Sequence, residues 1–356
     1  MRSRSDRSAT ESGPHADECR ASLPESLTMI RAAYIERLGS PDVIRYGDQP
    51  TPEPGPTDVL VDVRAVSVNH VDTFVRSGAW RTPLTFPFVI GRDLTGTVAA
   101  VGAGVHRFRP GDRVWCNSLG HDGRQGAAAE QVVVPVDRLY RLPEGADPYE
   151  TVALAHPAAT AYLGLFTHGR LRSGETVVVV GAAGNVGSAL VVMAAAAGGR
   201  VIAVASERDA EYCRGIGADH VIDYRDPDVP GRIRAAAPAG ADLYLDASGM
   251  NDLETAVDLL AGRGRIVLLA GLRSRPELPV GPLYLRDRSV LGFAISHATP
   301  GELAEAASAI NRLVADGSLR PRAVERLHLS DAAEAHRRLE EGKVRGKLVL
   351  SRDAKG

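Results

Sequence analysis

The sequence predicts an α/β protein in which a doubly wound parallel sheet, covered by helices, is joined to a second, mostly β domain. Three observations predict it. After His156, apolar strand-like runs alternate with helical stretches. From Met29 to about His156, short alternating runs are separated by Pro-Gly, Gly-Asp and Asn-containing turns. Residues 177–187, VVVVGAAGNVG, pass from a buried-type strand through a glycine-spaced turn into an alanine-rich helix. The 356 residues suffice for two domains, each with its own core.

Taken in order, residues 1–28 are rich in Ser, Arg and acids and read as a disordered tail. They lack the apolar core of a signal peptide, and Asp6, Glu11, Asp17 and Glu18 disfavour an organelle transit peptide. Ordered pattern begins at Met29, a candidate start residue. Strands are expected over Val59–Val66, Leu94–Val101, Asp112–Cys116 and Ala129–Val134. In the second half they are expected over Thr176–Val180, Arg200–Ala205, His220–Ile222, Ala241–Asp246, Arg265–Ala270 and Ser289–Phe293. Helices fall at Ser188–Ala197, Asp252–Leu260 and Glu302–Ala315. A strand Val324–Leu329, a helix Asp331–Glu341 with Ser330 as N-cap, and a strand Lys347–Ser351 complete the chain. No repeat of solenoid period is present.

Composition narrows the function. Hydrophobic residues make up 44% and charged residues 24%, with a formal net charge of -2, so there is no broad basic field for nucleic acid. No run approaches the roughly 18 apolar residues of a membrane span. Cys19, Cys116 and Cys213 are dispersed and odd in number, which points to a reducing, cytoplasmic compartment.

The strand–turn–helix of residues 177–187 points to a dinucleotide pyrophosphate. Gly184 lets the backbone approach a phosphate, Gly187 lets helix and strand pack closely, and the helix N-terminus offers free N–H groups. Ala182 stands where the commonest fingerprint has its first glycine. The second strand ends Val204-Ala205-Ser206, without the acid that would hold the ribose hydroxyls of NAD. Ser206 can donate to a 2'-phosphate and Arg208 can pair with it, which favours NADPH over NADH, although Glu207 and Asp209 make the field mixed. The plainer alternative is that Arg208 opens a solvent-facing helix capped by Ser206.

Short stretches add a resemblance. Residues 67–78, SVNHVDTFVRSG, with GRDLTGTV at 91–98, PGDRV at 110–114, ATAY at 159–162, the AAGNVG turn, HVIDY at 220–224 and Gly346-Lys347, closely resemble the zinc-independent quinone oxidoreductases. These are the zeta-crystallin-like branch of the medium-chain dehydrogenase/reductase superfamily, and the matches span residues 29–351. The resemblance implies a GroES-like catalytic domain over 29–154 and 298–356, a Rossmann domain over 155–297, and a homodimer or homotetramer. It implies that Asn69, His70, Thr160, Ser248, Ala270, Gly271, Phe293 and Lys347 bind the cofactor. The glycine turn would add Gly181, Ala183, Gly184, Asn185, Val186 and Gly187. Tyr224 matches a tyrosine that touches the 2'-phosphate, while Asp209 replaces the lysine that often helps it, leaving Arg208 as the substitute.

Zinc-dependent relatives need three protein ligands. Asn69 and Arg92 stand at two of those positions and only His156, at the third, could coordinate, so no metal is expected. A structural four-cysteine lobe is missing too, since residues 102–128 hold only Cys116; His121 and Asp122 have no tetrahedral spacing with it. Without metal, Asn69 is expected to polarise an acceptor carbonyl, and Asp72 to orient the loop or relay a proton. His156 would donate a proton with a pKa near 6.5, unless it is simply a packed, hydrogen-bonded histidine. Phe74 and Trp80 replace tyrosines frequent in the family and would line a flat apolar substrate pocket, unless they are core. The expected activity is NADPH-dependent hydride transfer to a quinone or α,β-unsaturated carbonyl. The alternatives are an enoyl-thioester reductase and a low-turnover NADPH-binding sensor or structural protein; neither nucleic acid nor membrane is an expected partner.

Overall fold

A computed structural model describes residues 28–354. The tail expected over residues 1–28 lies, apart from Thr28, outside the described residues. The second half of the chain builds a six-stranded, wholly parallel sheet. Its spatial order is His220–Asp223, Arg200–Ala205, Thr176–Val180, Ala241–Asp246, Leu260–Leu268, Ser289–Gly292. Chain direction through the sheet therefore reverses between Thr176–Val180 and Ala241–Asp246, and a crevice opens there at the strands' carboxyl ends. Val177, Val178 and Val179 are fully buried because helices cover both faces.

The first half, with two strands from the chain end, forms an antiparallel sheet and a mixed one in which Val324–His328 pairs parallel with Lys347–Ser351. A three-stranded sheet pairs Met29–Ile35 with Arg45–Pro50 and with Phe88–Val89. A seven-stranded sheet is centred on Asp58–Ser67 and Asp93–Val101, and it receives the C-terminal strand Lys347–Ser351. Val349 pairs with Ser67 and Leu350 with Val66, so the chain end returns to the first domain and Lys347 arrives beside Asn69.

Two helices lie inside the stretch that reads as strands and turns. His70–Ser77 starts after Asn69, whose backbone N–H donates to Asp72 at 2.8 Å, and stops at Gly78, whose φ of 79° suits glycine. Pro148–Tyr162 starts at Asp147, which accepts from the N–H groups of Tyr149 and Glu150, with Pro148 in the first turn. Its sequence shows no polar stripe because it is buried nearly all round, packed between the two sheets and against helices Asn185–Ala196 and Pro300–Ala315. Ser330 is not the N-cap expected for the last helix. It sits in a short turn, Leu329–Asp331, whose cap is the His328 imidazole, and the helix Ala332–Glu340 begins one residue later than expected. Among the described residues, no helix is long and apolar enough to cross a membrane.

The glycine turn owes its shape to one close approach. A Cβ on Gly187 would lie 2.1 Å from the Gly181 carbonyl oxygen and 2.8 Å from Ala182 Cα, so only glycine lets the helix Asn185–Ala196 start against the strand end. At Gly184 the nearest such atom is 3.3 Å away. Gly187→Ala is therefore expected to cost about 1–3 kcal/mol in urea unfolding, and Gly184→Ala distinctly less.

Candidate active site

Two adjoining cavities follow the carboxyl ends of the parallel strands and share Ala247 and Ser248. The larger, of 670 Å³, is lined by Gly181, Ala183, Gly184, Ser206, Arg208 and Tyr224. The other, of 370 Å³, lies in the cleft between the two sheets. Asn69, His70, Phe74, Trp80, His156 and Thr160 line it from the first domain and its connecting helix. Asn185, Val186, Ser248, Ala270, Gly271 and Phe293 face them, and Lys347 enters from the C-terminal strand. Asp72 and Gly187 line neither cavity: Asp72 is buried behind the cleft, and Gly187 is packed under the turn.

Behind the cleft, four ionisable side chains share one buried volume. Asn69 is the hub: its Nδ2 donates to Asp93 at 2.8 Å and to Ser67 at 3.3 Å, while its Oδ1 accepts from the Lys347 ammonium. Ser67 also donates to Asp93, at 2.5 Å. Arg92 Nε lies 3.9 Å from Asp72 Oδ1, and Arg92 Nη1 donates to Ser296 Oγ at 2.8 Å. Burial, with Asp93 nearby, pushes the Asp72 carboxyl up to about 7 against the pull of Arg92. Burial also raises Asp93 and lowers Lys347, and their mutual attraction opposes both shifts.

These contacts correct two expectations. The Asn69 carboxamide is engaged at both ends, so it is not free to polarise an acceptor; it holds the loop instead. His156 does not keep a pKa near 6.5, because burial first, then Arg92 and Lys347, hold it well below that value and leave the ring neutral. Its Nδ1 lies 3.8 Å from Asp93 Oδ1, and both atoms lack a hydrogen-bond partner. Among the described residues, no group of three or more His, Cys, Asp or Glu side chains is arranged to hold a metal ion. A divalent cation beside His156 would also meet the Arg92 guanidinium and the Lys347 ammonium.

At the outer cavity Ser206 departs from expectation. Its hydroxyl proton goes to Asp209 at 2.6 Å, and Asp209 in turn accepts from Arg322 at 2.6 Å, so Ser206 neither caps a helix through its side chain nor has a proton free for a phosphate. Arg322 also neutralises the acid that stands at the lysine position. Arg208 is largely exposed, and the Arg225 guanidinium lies 4.4 Å from the ring centroid of the exposed Tyr224. Sequence reasoning missed Arg225, Arg322, Asp93 and Ser296. Asp93 stood inside a matched motif and Arg225 beside Tyr224, but nothing local marked Arg322 or Ser296.

One wall of the cleft is aromatic. Trp80 is packed edge-on by His297 and His121, with ring centroids 5.8 and 6.3 Å away, and Phe293 stacks on His168 at 4.6 Å. Burial, with Arg92 next, lowers His121 to about 4.

Comparison with known proteins agrees with this geometry. The chain matches the family models "Alcohol dehydrogenase GroES-like domain" over residues 55–144 and "Zinc-binding dehydrogenase" over residues 185–312. It is 34% identical to a quinone oxidoreductase of Pseudomonas aeruginosa, covering 90% of this chain and 99% of that protein. A crystal structure of an NAD-dependent alcohol dehydrogenase superposes with a TM-score of 0.81 at 35% identity, covering 90% of this chain and 99% of the other. A mycobacterial protein solved with NADPH superposes with a TM-score of 0.78 at 29% identity, with the same coverage.

The neutral His156 has a consequence for stability. Unfolded, the imidazole takes up a proton below about pH 6.5; folded, it does not. Its contribution is thus complete above that pH and is lost as the pH falls below it. His156→Gln should flatten the acid limb of stability, by up to about 1.4 kcal/mol per pH unit below pH 6.5, as read by urea unfolding at pH 5 to 8.

Proposed function

We propose, from the premise that this chain belongs to the quinone-oxidoreductase-like branch of the medium-chain dehydrogenase/reductase superfamily, that it is an NADPH-dependent reductase of quinones or α,β-unsaturated carbonyls that works without metal. Family membership makes it an oxidoreductase that uses a nicotinamide cofactor and a small-molecule substrate. The observation that carries the finer reading is the pair of adjoining cavities: a dinucleotide-sized groove at the strand reversal runs into an aromatic-walled cleft backed by two buried cations.

The residues fit a dinucleotide. The close approach of Gly187 to Gly181 leaves the helix N-terminus open to a pyrophosphate, and Gly181, with φ of 74°, turns the backbone away from it. Three features support NADPH over NADH. The strand Arg200–Ala205 ends without an acid, Asp209 is neutralised by Arg322, and Arg208 lines the same cavity as Tyr224, whose ring carries the Arg225 guanidinium. When bound, the nicotinamide supplies a hydride. The chain's own part is to stack a planar acceptor against Trp80 and Phe74, keep water out of the cleft, and hold the loop through the Lys347–Asn69–Asp93 chain. The same reading takes the protein as a cytoplasmic homodimer or homotetramer; exposed Val280, Tyr284 and Leu285 beside the edge strand Ser289–Gly292 support a self-association face.

Oxidation of NADPH and of NADH, followed with 1,4-naphthoquinone, an enone and an enoyl-CoA, tests this reading. NADPH with quinone or enone should turn over fastest. A preference for enoyl-CoA moves the substrate to thioesters, and cofactor binding with no acceptor reduced leaves only a binding protein. Trp80→Ala should raise KM for naphthoquinone roughly tenfold, the equivalent of about 1–1.5 kcal/mol of aromatic contact, with NADPH affinity unchanged; equal effects on both would remove Trp80 from the substrate pocket. Arg208→Ala should raise the NADPH Kd about tenfold or more, as loss of a charge-assisted bond implies, and leave the NADH Kd unchanged in fluorescence titration.

A further inference from the structure

We infer, building on the hydride-transfer reading above, that Ser296 is the hydrogen-bond donor that meets the negative charge developing on the acceptor oxygen, and that buried Arg92 aims it. Ser296 lies in the turn Ile295–His297 and lines the cleft with Trp80, His156, Thr160 and Phe293. Arg92, only 2% exposed, donates from Nη1 to Ser296 Oγ at 2.8 Å. A serine hydroxyl has one proton and two lone pairs. With one lone pair held by a cation, the proton is turned away from Arg92, and no acceptor among the described residues takes it.

The other hydroxyl and carboxamide side chains of the cleft are already committed. Thr160 donates to the His156 carbonyl at 2.9 Å, Ser248 to Asp246 at 2.6 Å, and Asn185 to the Gly346 carbonyl at 2.9 Å. Asn69 is spent on Asp93, Ser67 and Lys347. Ser296 is the cleft hydroxyl whose proton has no internal partner. A hydroxyl that accepts from a guanidinium is itself a stronger donor, because each bond polarises the next in a low-dielectric site. Arg92 does not line the cleft and touches it at Ser296, so it is a positioning residue.

Hydride adds to the conjugated acceptor, the cofactor is oxidised, and the displaced electron pair comes to rest on the acceptor oxygen. Ser296 donates a hydrogen bond there and keeps its own proton, and solvent supplies the proton that neutralises the oxyanion as the product leaves the cleft.

Ser296→Ala tests this in two ways. With 1,4-naphthoquinone, kcat should fall about 10- to 100-fold, with the NADPH Kd within twofold of wild type and Ser296→Thr keeping most of the rate. Independently of turnover, p-nitrophenol is titrated spectroscopically into the cofactor-free protein. Wild type should bind the phenolate about tenfold more tightly than the phenol, and Ser296→Ala should lose that preference. Arg92→Lys, which keeps the charge but not the planar fork, should give an intermediate preference at unchanged NADPH affinity. If wild type reduces the quinone while Ser296→Ala matches it in kcat and in phenolate preference, the role of Ser296 is refuted and the reductase reading stands. If wild type reduces no acceptor, the reductase reading falls, and the phenolate preference alone decides for or against Ser296.

Discussion

The pairing of Asp72, Arg92, Asp93 and Lys347 in one buried volume is the constraint around which the cleft is organised. Two carboxyls and two cations removed from water are costly unless they offset one another, and loss of one partner from such a group typically costs about 3–5 kcal/mol. The cluster draws on the first turn of helix His70–Ser77, on the strand Asp93–Val101 with the residue before it, and on the C-terminal strand Lys347–Ser351. The chain end must therefore return to the first sheet for the charges to balance, and that return closes the rear of the cleft. Asn69 joins an ammonium to a carboxylate through a single carboxamide, so the loop that faces the cofactor side is held from behind.

A second constraint governs the other wall. Parallel strands in this order leave a crevice only where the order reverses, and there the Gly181–Gly187 contact sets the helix N-terminus against the strand end. The glycine-turn groove and the charge cluster meet along helix Pro148–Tyr162. His156 and Thr160, four residues apart, present one face of that helix to the cleft, tied by the Thr160 hydroxyl to the His156 carbonyl. A helix apolar on all sides can serve two cores at once, and this one carries residues of the active cleft between them.

Much of this was legible in the sequence because it is local. The valine run, the glycine spacing and the alternation of strands and helices each depend on neighbours a few residues apart, and the parallel sheet follows from them. The motif matches extended that reading to residues such as Thr160 and Lys347. What was not legible depends on partners far along the chain. Ser206 reads as a phosphate donor until Arg322, 113 residues away from Asp209, completes a triad that takes its proton. Asn69 reads as a free amide until Lys347, 278 residues distant, occupies its oxygen. His156 reads as a titrating acid until burial beside two cations makes it neutral. Ser296, in a stretch without a motif, gains meaning only from Arg92, 204 residues earlier.

In the function proposed above, the cleft passes a hydride from a reduced nicotinamide directly to a conjugated acceptor, with buried side-chain charge in place of a metal. The most direct measurement uses NADPH deuterated at the transferring C4 position, with an enone as acceptor and the protein first dialysed against a chelator. The account predicts one deuterium on the β-carbon of the product per turnover, a primary isotope effect, and a rate unchanged by chelation. Product without deuterium, or activity that disappears on chelation and returns with zinc, would contradict it.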